Sequence, residues 1–313
     1  MSVPLYVPVL PASRHATRAY DVLLPEIRAG VAPLWTLHPH PGLRPKDAIR
    51  RIGLDTGYVA GVQKQGHAWL DAPYADADEA ALLPGALAPE WWEHRNLCPV
   101  TGPGRPDAQQ SLALAVARLL GKGIGMRVPL PGEWHDRIAE EVMSLLGRLA
   151  TGTRVDLFLD LMTVSPRRPD AAKEALRALD MLVPLASWRT VAVLSGGFPE
   201  SPEGLRRGVP HEEPRPDWDT WHEISHSEPS YLSQLRYGDY ATHPVSYVSD
   251  PAPGRPGAWG LLRYTTARSY HLVKVRHGKS YDAQNRSAAR LITGLSDFRG
   301  SGASAGERWL CRR

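Results

Sequence analysis

The chain has 313 residues, of which 42% are hydrophobic and 22% charged, with a formal net charge of +4. The length is enough for one large core or two small ones, and the composition is ordinary for a globular protein. No run approaches the roughly 18 apolar residues of a membrane helix, so no membrane partner is expected.

Met1-Ser2-Val3-Pro4 lacks the basic and apolar regions of a signal peptide. The two cysteines, Cys98 and Cys311, stand far apart and outside any CxxC pattern. A disulfide framework and a cysteine zinc site are therefore not expected, and a reducing cytoplasmic location is. Arginine supplies most of the positive charge, spread along the chain without a basic tail. A solvated surface explains that balance as readily as a nucleic-acid partner does.

Leu5–Leu10 is a short apolar run that reads as a buried strand. Ser13 is placed to cap a helix running through Ala16, Tyr20, Leu23, Leu24 and Ile27, with Gly30 as its stop. Val31–Leu37 reads as the next strand, so a strand–helix–strand unit opens the chain. Asp47–Ile52 starts a helix, and Ala68–Asp71 is a short strand. The Pro-, Gly- and Ala-rich stretch 74–108 reads as loop with short helix. Gln109–Leu120 is helical and Gly125–Leu130 extended. Glu133–Leu149 sets Ile138, Val142, Leu145, Leu146 and Leu149 on one helical face. Val155–Leu161 (strand), Asp170–Ala186 (helix) and Thr190–Leu194 (strand) follow. Residues 199–216 read as an exposed loop and Trp218–Ser227 as a short helix. Leu235–Tyr240 and Gly260–Thr265 are the last strands of the pattern, with His271–Arg276 as an added one.

Strand segments near residues 6, 34, 69, 128, 158, 192, 237 and 262 thus alternate with helices. This predicts an α/β fold: a single-domain, eight-stranded parallel β/α (TIM-like) barrel over residues 1–313, with an irregular C-terminal extension from about 267. An open doubly wound sheet is the alternative. The Pro11-Ala12-Ser13-Arg14 turn lacks its GxGxxG signature.

In such a barrel the carboxyl ends of the strands face the functional mouth. The residues expected there are His38, His40, Asp71, Arg127, Asp156, Asp160, Ser195, Asp239, His243, Arg263 and Tyr264. Arg127 and Asp160 stand out, because a charge inside an apolar strand must be paired or face a site. For each of the others taken alone, satisfying loop backbone is the more ordinary explanation. His222-Glu223-Ile224-Ser225-His226 matches HExxH, the spacing at which two helical histidines share zinc. No further ligand follows at a zincin spacing, and Pro229 cuts the helix short. Cofactors are accordingly not expected, with zinc as the alternative.

Tyr6-Val7-Pro8-Val9-Leu10 with Ala32-Pro33-Leu34, Asp160 ending its apolar strand, Ser195-Gly196-Gly197-Phe198-Pro199, Tyr237-Gly238-Asp239-Tyr240 with His243-Pro244, Arg263-Tyr264-Thr265, and Gly306-Glu307-Arg308-Trp309 occur in this order. Together they resemble the beta protein family, known from T-even phage and bacterial genomes. The resemblance spans nearly the whole chain in short pieces. It implies a barrel-like fold and a phage-related, host–phage setting such as antiviral defence, and it supplies no reaction. Two departures stand out. The family commonly has a lysine after the first strand, where Pro11-Ala12-Ser13 stands here. It commonly has a glutamate after the second Pro-Leu, where Trp35-Thr36 stands here.

Three functions fit this reading. In the first, the mouth binds or transforms a polar or phosphorylated small molecule. Asp160, Asp239 and His243 would then act catalytically, and Arg127, Tyr237, Tyr240, Arg263, Tyr264 and Arg276 would hold the ligand. In the second, the chain is a nonenzymatic interaction protein that binds protein or nucleic acid through a basic face. In the third, it is a zinc hydrolase using His222, Glu223 and His226.

Overall fold

The computed structural model describes residues 5–87, 89–93, 96–200, 204–249, 259–276 and 281–312. Its strands are β1 (Tyr6–Pro11), β2 (Leu34–Thr36), β3 (Ala68–Asp71), β4 (Leu97–Thr101), β5 (Ile124–Pro129), β6 (Val155–Thr163), β7 (Thr190–Gly196), β8 (Pro210–Pro214), β9 (Leu235–Asp239), β10 (Trp259–Thr265) and β11 (Ser269–Arg276). The first seven and β9 pair in sequence order and close on themselves. β1 is parallel to β2 on one side, with Val9 opposite Leu34, and to β9 on the other, with Val7 opposite Gly238. Closure settles the barrel over the open sheet, because neither β1 nor β9 is left as an edge.

Side chains alternate across the wall. Val7, Val9, Leu34, Trp69, Val100, Phe158, Ala192 and Leu194 fill the interior. Leu157, Leu159, Val191 and Val193 face outward onto the helices. The helix Arg137–Gly147 buries Val142 and Leu145 and packs Ile138, Leu146 and Leu149 beside them, the face its periodicity predicts. Ser13 caps the helix Arg14–Asp21 by accepting from Ala16 N at 3.4 Å. That helix stops early, and a second, Pro25–Ala29, follows. Pro25 forces the break because it has no N–H to continue the first helix.

Two expectations about strands fail together. β4 lies inside the stretch read as loop, and it supplies the barrel strand that Gly260–Thr265 was expected to supply. Pro99 hides β4 in the sequence, since proline argues against a central strand. Here it lies opposite Leu70 and forgoes its ladder hydrogen bond. Gly260–Thr265 instead belongs to a separate antiparallel sheet, ordered β10-β11-β8. β8 lies within the segment read as an exposed loop. The C-terminal part is also regular: β11 is followed by the helices Asp282–Thr293 and Ala305–Cys311. Their apolar faces rest largely on Ala288, Ala289 and Ile292, which pack with Tyr264, Val273 and Leu310. Alanine makes such a face weak in a sequence pattern. Among the described residues, no helix is long and apolar enough to cross a membrane.

Candidate functional site

β5 carries Arg127 into the barrel interior near the carboxyl ends of the strands, where it is 1% exposed. Its Nε and Nη2 donate to Asp160 Oδ2 on β6 at 2.9 and 2.6 Å, and Nη1 donates to Asp71 Oδ2 on β3 at 3.0 Å. Nη2 also meets the Tyr240 hydroxyl at 2.7 Å, and that hydroxyl donates to Asp160 Oδ2 at 2.7 Å. Arg105 reaches Asp71 Oδ2 from the loop after β4 at 3.2 Å. Two guanidinium groups and two carboxylates thus balance inside the wall. Burial acts against the charge on Arg127, and Tyr240, Asp160, Tyr74 and Asp71 outweigh it. Burial lowers Arg105, which Asp71 partly offsets.

Above this cluster the interior is polar. Thr36 stands opposite Asp71 on the neighbouring strand. Tyr74 lies close to Tyr240, Arg127 and Asp160, and its hydroxyl is pushed up mainly by burial. Thr36 Oγ1, Asp71 Oδ1 and Tyr74 OH are all buried and have no hydrogen-bond partner among the described residues. His38, Tyr247, His243 and Tyr240 form a chain of ring contacts over the same end, with centroids 5.6, 5.4 and 6.1 Å apart in turn. Two turns at this rim repeat one geometry. Asp160 Oδ1 accepts from Met162 N, and Asp239 Oδ1 from Ala241 N, at 2.9 and 2.8 Å. Met162 and Ala241 take φ of +58° and +51°. Left-handed non-glycine residues are strained and concentrate at functional sites.

The expected site therefore divides. Asp71, Arg127, Asp160 and Tyr240 converge, with His243 next to Tyr240. Asp239 and Tyr237 do not join them, because alternation turns both to the outside of the wall. There Tyr237 OH donates to Asp217 Oδ2 and Asp239 Oδ2 at 2.7 and 2.8 Å, and Tyr6 donates to Asp239. Arg215 pairs with Asp217 and Asp239, and Tyr270 of β11 donates to Asp217 at 2.8 Å. This network fastens the small sheet to the barrel, so Asp160 and Asp239 do not form an acid–base pair across one cavity. Burial holds the Asp239 carboxyl above its ordinary range, with Asp217 adding to it.

Asp156 lies at the opposite end of β6 from Asp160 and binds Trp69 Nε1 at 2.8 Å and Arg189 Nε at 2.8 Å. It is not a mouth residue. Ser195 faces outward with Val191 and Val193, by strand alternation. His40 is held by Glu79 through its backbone N–H at 2.9 Å and lies 3.5 Å from Asp55. Arg263 hydrogen-bonds the Thr242 carbonyl at 2.5 Å and covers the Phe198 ring. Tyr264 donates to Glu307 at 2.9 Å in the C-terminal core. Arg276 lies over Tyr281, 5.0 Å from its ring centre. Tyr264 and Arg276 thus belong to the small sheet rather than the mouth, a direct consequence of β10 leaving the barrel.

His222 and Glu223 are exposed on the helix Pro216–His226, and His226 Nδ1 contacts the His222 carbonyl at 2.7 Å. Among the described residues, no group of three or more His, Cys, Asp or Glu side chains has metal-holding geometry. Sequence reading missed Thr36, Tyr74 and Arg105. The Leu97–Thr101 apolar run, followed closely by an arginine, was the available signal for the last of these.

Burial lowers His243 to about 4, and Arg263 and His38 add to the shift. The native protein then binds fewer protons than the unfolded chain between about pH 6.5 and pH 4. Stability is expected to fall as pH drops through that window, by on the order of 3 kcal/mol from this one residue. Urea unfolding at pH 7 and at pH 4.5 checks it: His243→Leu should shrink the difference between the two.

The family model described as Beta protein matches residues 6–313. No curated protein matches the sequence. Among solved structures, the chain is similar to a tryptophan synthase from M. tuberculosis, solved in its aminoacrylate- and BRD0059-bound form. The two share 13% identity at a TM-score of 0.40, over 75% of this chain and 82% of that one.

Proposed function

Since the chain belongs to the beta protein family, whose shared barrel supplies a scaffold and no reaction, we propose from the site itself that the mouth binds a small polar molecule bearing hydroxyl or ammonium donors. The observation that carries this is the trio of buried, unpartnered atoms, Thr36 Oγ1, Asp71 Oδ1 and Tyr74 OH. Each such atom costs about 1–3 kcal/mol unless something satisfies it. A ligand hydroxyl or ammonium group donates to Asp71 Oδ1, and ligand oxygens accept from Tyr74 and Thr36. Asp71 Oδ1 is then the atom placed to take a proton from the bound group. Arg127 and Arg105 are neutralised by Asp71 and Asp160, so the guanidinium groups inside the barrel have their charge taken up before a phosphate arrives. This favours the polar over the phosphorylated form of the ligand.

The test combines native mass spectrometry of gently purified protein with thermal shifts against a panel of free sugars, polyols and primary amines. A bound small molecule, or a panel member that raises the melting temperature of wild type but not of Asp71→Asn, is the expected result. Thr36→Val should raise the stability of the ligand-free protein by about 1 kcal/mol, because it removes an unsatisfied polar atom of similar volume. It should weaken ligand binding at the same time. Only the unliganded mass, together with no thermal shift from any panel member, would overturn the reading.

A further inference from the structure

The small sheet holds a cavity away from the mouth. It has a volume of about 290 Å³ and lies against β11 and the helix Asp282–Thr293. Among the described residues, Arg207, Lys274 and Arg276 line it together with Gln284, Asn285 and Ser287, and Asp282 lines the adjoining hollow that shares Arg276 and Asn285. The backbone holds two of these cations in register. Arg207 bridges Lys274 in parallel, and Gly208 N donates to the Lys274 carbonyl at 2.9 Å. Asn285 donates through Nδ2 to the Arg276 carbonyl at 3.0 Å, which fixes the orientation of its amide. Its Oδ1 is buried and has no hydrogen-bond partner among the described residues.

We propose that this cavity binds a phosphorylated small molecule that also carries a hydroxyl group. Arg207 and Arg276, with Lys274 between them along β11, concentrate positive potential on one concave wall, where a phosphate makes charge-assisted hydrogen bonds. The Asn285 Oδ1 acceptor is satisfied by a donor on the same ligand, which a bare inorganic anion does not supply. The volume is near the lower bound of ordinary ligand pockets, about 300 Å³, so the ligand is small. The site shares no lining residue with the barrel mouth, and its basic lining contrasts with the balanced charges buried there.

Isothermal titration with ribose 5-phosphate, inorganic phosphate and free ribose tests this in the full chain. Ribose 5-phosphate is expected to bind saturably and free ribose not at all. Arg276→Gln should weaken ribose 5-phosphate binding at least tenfold. Arg207→Gln, an exposed position where loss of the fold is not expected, should weaken it less. Asn285→Leu should bring ribose 5-phosphate down to the affinity of inorganic phosphate. Thr36→Val, at the mouth, should leave the binding unchanged, which separates this site from the one proposed there. Absence of saturable binding by both phosphates would overturn the proposal, as would an affinity unaffected by Arg276→Gln and Lys274→Gln combined. Binding of a single-stranded oligonucleotide with no binding of ribose 5-phosphate would also overturn it and make this surface a nucleic-acid contact.

Discussion

Arg127→Met is expected to destabilise the protein by about 3–5 kcal/mol, because it leaves Asp160 buried without its cationic partner. Asp160 is 0% exposed, and both guanidinium contacts to it come from Arg127. Asp71 loses less, since Arg105 still reaches its Oδ2 at 3.2 Å. The double variant Arg127→Met/Asp160→Leu should therefore recover most of the loss: it removes the orphaned charge and leaves Asp71 paired. Chemical denaturation of wild type and both variants measures this. A double variant no more stable than the single one would show that the cluster's worth lies in shape rather than charge. The comparison also bears on function. If the ion cluster serves the mouth, the double variant should fold well and fail to bind the mouth ligand.

Gly102→Ala should have an effect of similar size for a different reason. Gly102 follows β4, and a Cβ there would lie 2.0 Å from the Arg127 carbonyl oxygen, a backbone atom of β5. The strands would have to separate where they aim Arg127 into the barrel. Overpacking of this kind costs roughly 1–3 kcal/mol, and more where the obstruction is backbone, which places this substitution at the upper end. Gly53 is the control. It lies within the helix Pro45–Val62, where a Cβ would meet no atom within 4 Å. Gly53→Ala should stabilise by roughly 0.5–1 kcal/mol through helix propensity. Equal melting temperatures for the two alanine variants would sink the close-approach argument.

The rim sharpens what the family resemblance left open. The Trp35-Thr36 pair divides across the barrel wall. Trp35 points outward, where its Nε1 contacts Gln63 Oε1 at 3.3 Å and its ring meets Tyr20 edge-on. Thr36 points inward beside Asp71.

The sequence by itself determined the class of fold. Seven of the barrel's eight strands are short apolar runs separated by helical periodicity, and these patterns are local, set by burial on both faces of a parallel strand. It also singled out Arg127 and Asp160, because a charge in such a run needs a partner wherever the run ends up. What it did not determine was which strands share a sheet and which face each residue presents. Leu97–Thr101 and Gly260–Thr265 are similar apolar runs, and only pairing across the closed barrel admits one and excludes the other. In strands apolar on both faces, alternation leaves no mark of inside and outside, so the chain does not tell which of Asp160 and Asp239 faces the interior. The tertiary structure sends Asp160 inward to Arg127 and Asp239 outward to Tyr6 and Arg215. It also sets Thr36 on β2 beside Asp71 and Tyr74, at and just beyond the end of β3, in one polar niche, because β2 and β3 pair side by side.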